Sequence, residues 1–427
     1  MKNILRLLSI SILVTIWSCE KENIIEKDVN NSESESTFLR NASNNSSNEL
    51  VILYPDGTTD FEKQQKRIEY GVSDYKQCKC AEENLELWIF NNNNTNDINI
   101  EEKKETATVD EEIEGVDLNP IISIPQDQFV INFNTAGILD VALTKIVDSN
   151  QGLTIAVLDT GINYHYEGFS DNFLYNSSED ACIDNNSEEL FGWNFVDNNN
   201  NPFDNHSSMH GTVISHIITS NLDSKNVHYQ LLPVKVANEN GNINYFDALC
   251  GFQYATKKRN IKIINMSFGW YNENYELLNK FINIVEDEIL VICSAGNNNQ
   301  NNDTQQPHYP SSYESENILS IAGLSGNFIN DISIPNEQGI NGLSSFSNYG
   351  NTSVDIAAIS EDIPFVFNNE LFYYDGTSFS AAYASFYSAY YYQNGMSAQA
   401  LKNQVIATSI YSQNLFNIKY SAYIYND

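Results

Sequence analysis

The sequence predicts an α/β fold: a doubly wound, mostly parallel sheet with helices on both faces, preceded by a small α+β unit. Three observations carry this expectation. From about residue 145 onward, short apolar runs recur: LTIAVLD, YQLLPVKV, IKIINMSFG, ILVICSAG, ILSIAGL and VDIAAI. Each is rich in Ile and Val and apolar on both faces, which suits strands buried inside a parallel sheet. Helix-sized segments separate most of the runs, the alternation that lays helices against a sheet. Polar residues gather just past strand ends, at Asp159, Ser267 and Asn297. In such sheets, sites form at the carboxyl ends of strands.

A chain of 427 residues is long enough for two or three domains at roughly 150 residues each. With 41% hydrophobic and 12% aromatic residues it can bury a sizeable core, which excludes wholesale disorder. Lys and Arg number 22 against 56 Asp and Glu, a net charge of −34. That balance argues against a nucleic-acid partner, which requires a basic footprint, and against electrostatic docking on anionic lipid. Six cysteines are too sparse for a disulfide scaffold.

Residues 1–18 start with Lys2 and Arg6 and continue into the apolar run Leu5–Trp17. The run is shorter than the roughly 20 residues that cross a bilayer as a helix, so it reads as an export signal. Ser18-Cys19 resembles the lipobox of bacterial lipoproteins, which implies cleavage before Cys19 and a lipid on its thiol. Glu20-Lys21-Glu22 then resembles an acidic surface-export tag. The alternative is an ordinary export signal with a chance cysteine. Residues 19–49 are rich in Asn, Ser and Glu and have little to bury, the composition of a flexible tether.

Residues 50–90 form a β-α-β unit. LVILY is a strand, PDGT a turn, FEKQQKRIEYGV a helix ending near Gly71, and LELWIF a second strand. Such a unit is small to stand alone. Residues 91–144 carry NNNNTND, EEKKET and DEEIEG and read as an acidic linker open to cleavage. Residues 145–427 hold the large domain. The spacing of Cys78 and Cys80 suits neither a mutual disulfide nor a zinc knuckle. Cys293 falls in a buried run, as a packed free thiol does. Five cysteines beyond Cys19 leave at least one unpaired or joined to another chain.

Four short motifs carry chemistry: Asp159-Thr160-Gly161, His210-Gly211-Thr212, Ser294-Ala295-Gly296-Asn297 and Gly376-Thr377-Ser378. Singly, each has an ordinary explanation. Asp-Thr-Gly makes a turn, a histidine opens a helix, an asparagine starts a polar loop, and a serine caps a helix. In combination they place Asp, His and Ser in that order, with a side-chain amide between the last two. His206 and His216 lie close to His210, but neither is followed by Gly-Thr, and His216 suits a packed helix position.

The chain from about 150 to 410 resembles the subtilisin-like serine proteases, the subtilase family, whose triad runs in this order. Further segments resemble the family in its own order: Asn201-Pro202-Phe203-Asp204, Val234-Lys235-Val236, Asn265-Met266-Ser267-Phe268-Gly269, Tyr309-Pro310, SSFSNYG ending at Gly350, and Val354-Asp355-Ile356-Ala357-Ala358. The resemblance implies a subtilisin-like fold and a serine endopeptidase acting on polypeptide. Ser378 attacks, His210 moves the proton, Asp159 holds the imidazole, and Asn297 with the Ser378 N–H forms the oxyanion hole. Ser267-Phe268-Gly269 is the implied edge for substrate backbone. No cofactor is required for this chemistry.

The departures are specific. Ala382 stands where the family has proline, His216 where it has glycine, and Ala358-Ile359-Ser360 where it has Ala-Pro-Gly. Trp270 and His308 occupy positions that resemble the walls of the primary specificity pocket, so a narrowed or polar pocket is expected. The acidic residue expected near Gly168 is replaced, so the metal content is unknown and a structural calcium is without support. The 50–90 unit resembles inhibitor-type propeptides; a surface domain of unrelated role fits equally. A propeptide implies a mature N-terminus within 95–145, and the same cut would free the enzyme from its lipid. The whole reads as an exported monomer, lipid-anchored at a bacterial membrane or cell surface. The alternatives are a dedicated leader- or precursor-processing protease, or a catalytically dead member that binds peptides.

Overall fold

The computed structural model describes residues 44–78, 80–81, 83–91, 99–124, 130–131, 139–148, 152–184, 187–304, 306–326 and 342–425. They lie in the compact unit Ala42–Asp427. The expected signal segment and Cys19 fall outside the described residues. No helix among those described is long and apolar enough to cross a membrane.

The N-terminal part contains β1 (Asn44–Leu53), α1 (Asp60–Tyr70), β2 (Asp74–Gln77), β3 (Leu85–Ile89), α2 (Ile100–Thr108) and β4 (Gly115–Ser123). Helix α1 starts where expected because Thr59 and Glu62 form a reciprocal capping box. It stops at Gly71, whose φ of 68° is left-handed. The sequence led us to expect a linker over 91–144, yet α2 and β4 lie there. The charged surface of α2 hides only Ile100 and Ala107 in the core. In β4 the buried Asp117 and Asn119 break the apolar pattern because both are hydrogen-bonded to neighbouring helices. A short α3 (Leu139–Leu143) precedes the large domain.

That domain runs β5 (Leu153–Asp159), β6 (Ile183–Asp184), β7 (Ser187–Glu188), β8 (Trp193–Asn194), α4 (His210–Ser224), β9 (Tyr229–Lys235), β10 (Asn242–Asn244), α5 (Tyr245–Thr256), β11 (Ile261–Met266), β12 (Trp270–Tyr271) and α6 (Glu276–Ile284). It continues through β13 (Leu290–Ser294), β14 (His308–Tyr309), β15 (Ile318–Leu324), β16 (Ile356–Ile359), the hairpin β17 (Ile363–Phe367) and β18 (Glu370–Tyr374), α7 (Thr377–Tyr391), α8 (Ala398–Thr408), β19 (Ile410–Tyr411) and β20 (Ala422–Tyr423). A nine-stranded sheet has the order β19-β20-β16-β15-β13-β11-β5-β9-β8. Its pairs are parallel except β19–β20 at the edge. All six apolar runs supply strands of this sheet. Both faces are covered, as period-two alternation requires. Ala156 and Leu158 of β5 join the core beneath α5 and α6, while Ile155 and Val157 join the core beneath α4, α7 and α8. This is the doubly wound, subtilisin-like arrangement expected from the sequence.

The two parts share structure. A five-stranded antiparallel sheet has the order β10-β4-β1-β3-β2, so a strand of the large domain is its edge. Asp117 accepts from Glu276 N–H at 3.1 Å, Leu277 N–H at 2.8 Å and Tyr245 Oη–H at 3.0 Å. Asn119 accepts from Phe246 N–H at 3.0 Å. One strand of the small sheet therefore caps both α5 and α6, satisfying donors that a helix start leaves free. Disulfides join Cys78 to Cys250 and Cys80 to Cys182, while Cys293 is free and buried.

Asp117→Ala removes the acceptor for three donors and leaves the buried Tyr245 hydroxyl short of a partner; a loss of about 2–4 kcal/mol is expected in the denaturant midpoint. Burial pushes the Asp117 carboxyl up to about 6, against the lowering effect of its hydrogen bonds. The folded protein thus holds a proton there at a pH where the unfolded chain has lost it. This contribution to stability is complete below about pH 4 and is lost as pH rises through about 6. In Asp117→Asn that slope disappears, so its stability relative to wild type changes by about 3 kcal/mol across pH 4–6.

Candidate active site

Asp159 ends β5 and is fully buried. His210 opens α4, and its Nδ1 lies 2.8 Å from Asp159 Oδ1 and 3.0 Å from Oδ2. A carboxylate can only accept, so Nδ1 carries a proton. Thr160 N–H also donates to Oδ1 at 2.7 Å. Gly211 is what lets the helix come this close: a Cβ there would stand 2.4 Å from Gly161 O and 3.1 Å from Asp159 Cβ. The first turn of α4 is tied down from two sides. Gly211 N–H donates to Thr160 Oγ1 at 2.8 Å, and Thr212 donates to Asp204 Oδ2 through its N–H at 3.0 Å and its hydroxyl at 2.6 Å. Lys235, ending β9, is buried and donates to Thr160 O at 2.5 Å and Asn205 Oδ1 at 2.9 Å. Burial holds its ammonium below the usual lysine range, opposed by the charge of Asp204.

Ser378 is the second residue of α7, and Gly376 before it has a φ of 152° that favours glycine. Ser378 is 3% exposed. Its hydroxyl donates to Ser267 O at 3.1 Å, and Ser267 Oγ–H donates back to Ser378 O at 3.0 Å. The Phe379 ring centre lies 5.6 Å from that of His210, so the starts of α7 and α4 abut. Asn297 Oδ1 accepts from the Thr377 N–H at 2.9 Å and hydroxyl at 2.8 Å. This fixes the amide and leaves Nδ2 as its donor. The structure thus gathers Asp159, His210, Ser267, Asn297 and Ser378 at one rim, where β5, β11 and β13 end and α4 and α7 begin.

The remaining expected residues divide. Gly269 and Gly296 both abut the His308 ring. A Cβ on Gly269 would lie 2.3 Å from His308 Cε1 and 2.5 Å from Nε2, and one on Gly296 would lie 3.0 Å from Cδ2. The imidazole fills the slot between the segments that follow Ser267 and precede Asn297. Ser311 Oγ–H donates to His308 O at 2.7 Å, so the 2.9 Å contact with Nδ1 makes Nδ1–H the donor and leaves Nε2 an acceptor toward Gly269. Burial pushes His308 down to about 3, which keeps it neutral. Trp270, expected at a pocket wall, is turned elsewhere. Its ring packs among Tyr245, Tyr275, Tyr309 and Tyr313, and its Nε1–H donates to Glu273 O at 2.7 Å. Phe268 is buried in the core. His216 sits against Tyr166, Phe169 and Phe365, a packed position as expected. Among the described residues no group of His, Cys, Asp or Glu is placed to hold a metal.

Sequence reasoning singled out Thr160, Thr377 and Asp204 as parts of motifs and segments but gave them no role in orienting the others. The available signal was a hydroxyl or carboxylate beside a helix start, where free N–H groups call for acceptors.

Residues 150–421 match the Subtilase family. The major intracellular serine protease of Bacillus subtilis strain 168 is 27% identical over 245 residues, covering 55% of this chain and 66% of that protein. The cell wall-associated protease of the same organism is 28% identical over 238 residues, 54% of this chain and 22% of that protein. This chain therefore spans less than two thirds of either relative's length. A solved chain from work on the structural basis of subtilase cytotoxin SubAB assembly superposes with a TM-score of 0.50 at 18% identity, over 66% of this chain and 89% of that one; that likeness concerns the fold alone. With a family match across well over half of its length, on a sheet whose strand ends bring Asp159 against His210 beside Ser378, the chain belongs to the subtilase family.

Proposed function

We propose that this subtilase hydrolyses peptide bonds as a serine endopeptidase with polypeptide substrates. The observation that carries the reading is the buried Asp159–His210 pair set beside the Ser378 helix start. In this reading Ser378 Oγ attacks the scissile carbonyl and His210 Nε2 takes its proton. The carbonyl oxygen becomes an oxyanion, stabilised by Asn297 Nδ2–H and the first-turn N–H of Ser378. His210 then gives the proton to the leaving amine, and the C–N bond breaks to leave an acyl-enzyme. Water repeats the sequence and frees Ser378. Asp159 keeps Nδ1 protonated throughout and stabilises the imidazolium. Ser267-Phe268-Gly269 offers backbone to an extended substrate. Export, with a lipid on Cys19 tethering the chain to a bacterial membrane or cell surface, belongs to the same proposal and rests on residues 1–22 alone.

The His308 ring favours a narrow substrate range within this reading. In this reading it takes up space between the Gly269 and Gly296 segments where a large side chain before the scissile bond would go, and its Nε2 is a neutral acceptor there. That observation favours a dedicated leader- or precursor-processing protease over a broadly digestive one.

A fluorophosphonate should label wild type and fail to label Ser378→Ala; a wild type that is not labelled would support the peptide-binding alternative. Asn297→Ala should lower kcat by about 10²–10³, the usual cost of one preorganised oxyanion donor, with KM little changed. Among peptides that differ only in the residue before the cut, Gly or Ala should exceed Phe in kcat/KM by about tenfold or more. His308→Gly should shift the preference toward Phe. A wild type that prefers Phe would remove the narrowed-slot reading.

A further inference from the structure

Both disulfides cross between the two parts of the molecule. Cys78 and Cys80 follow β2 of the N-terminal sheet, whereas Cys250 lies in α5 and Cys182 just before β6. The same seam holds the β4–β10 pairing and the Asp117 and Asn119 caps. The chain leaves this sheet at Ile124, whose N–H donates to Gly241 O at 2.8 Å, and at Ile131 donates to Ser207 O at 2.8 Å. Ser207 belongs to the loop that leads into His210. Ile131, on the connection between the two parts, is therefore held against the loop that leads into the candidate active site, and a cut within the connection, between Ile124 and Leu153, would divide the two parts. Every such cut falls between the cysteines of both disulfides.

We propose that the N-terminal sheet is a disulfide-retained subunit: a backbone cut between Ile124 and Leu153 yields two chains that remain one covalent molecule. The proposal stands whether or not Ser378 makes the cut. Without the disulfides, the cut would turn the β4 seam into a bimolecular contact that dilution can dissolve. With them, the released strand end stays at an effective concentration of order mM beside its own docking surface, so β4 re-pairs with β10. Cleavage alone then neither clears the α5–α6 surface nor separates the catalytic domain from whatever the N-terminus is attached to. A lipid on Cys19 and a mature N-terminus after residue 124 are compatible in one molecule. Release requires thiol exchange. For each bond, two small-molecule thiols supply two electrons and two protons, giving two protein thiols and one small-molecule disulfide.

The test uses the full chain as Ser378→Ala, with the recognition sequence of a site-specific protease inserted between Thr135 and Ala136. After cutting, free thiols are alkylated and the protein is run on denaturing gels with and without dithiothreitol. One band at the uncut mass without reductant and two with it is the expected result. Cys78→Ser or Cys80→Ser alone should still give one unreduced band, because the other bond holds; the double variant should give two. Peptide mapping of the unreduced, denatured parent should find Cys293 alkylated and Cys78, Cys80, Cys182 and Cys250 protected. Two bands from the oxidised parent, separation in either single variant, or alkylation of the four paired cysteines would overturn the proposal.

Discussion

The hydrogen bond between a fully buried carboxylate and an imidazole constrains much of this structure. Asp159 and His210 meet only because β5 ends where α4 begins. That meeting demands a residue without a side chain at 211, acceptors for the first turn of α4 from Thr160 and Asp204, and a burial site that keeps water from competing. A buried charge is costly unless hydrogen-bonded. The Thr160 N–H and the imidazole N–H share that task at Asp159, so the pair is held by the surrounding backbone as well as by its own attraction. Ser378 and Asn297 are placed by the same logic at the next helix start, where Thr377 holds the amide and Gly376 turns the chain.

The N-terminal sheet is tied to this core by a different economy. Its strand β4, paired on both sides, carries polar residues in place of the apolar ones a buried strand normally shows, because those residues finish two helices of the larger domain. The disulfides then fix what the caps position. Both parts consequently share one hydrophobic core: Leu50, Trp88 and Leu118 are continuous with Leu249 and Phe281. Cutting the connection would not by itself create a new surface, since the seam is lined by satisfied backbone donors and packed side chains.

Much of the large domain was legible in the sequence because parallel strands leave a strong trace. Six Ile- and Val-rich runs became six strands of one sheet. The four motifs could be read because each sits at a strand end or helix start, where few residue types serve. The N-terminal part was less legible for a physical reason. Over 91–144 the acidic composition resembled a linker, since Asp117 and Asn119 look solvated until their helical partners are known. The cysteine pairs were hidden for the same reason: the partners are 172 and 102 residues apart, and spacing says nothing about contacts of that range. Trp270 and His308 looked alike as pocket walls, but an indole among four tyrosine rings and an imidazole against two glycines are distinguished only by packing. The signal segment and Cys19 lie outside the described residues.

The central claim is that Asp159 holds His210 in one tautomer, with the proton on Nδ1 and Nε2 unprotonated. Nitrogen-15 spectra of histidine-labelled Ser378→Ala at neutral pH test this most directly, with His210→Ala in the same background assigning the resonance. The account predicts a protonated Nδ1 and an unprotonated Nε2 in the folded protein, with the tautomer mixing or inverting in Asp159→Asn. A His210 ring protonated on Nε2, or one indifferent to the change at residue 159, would contradict it.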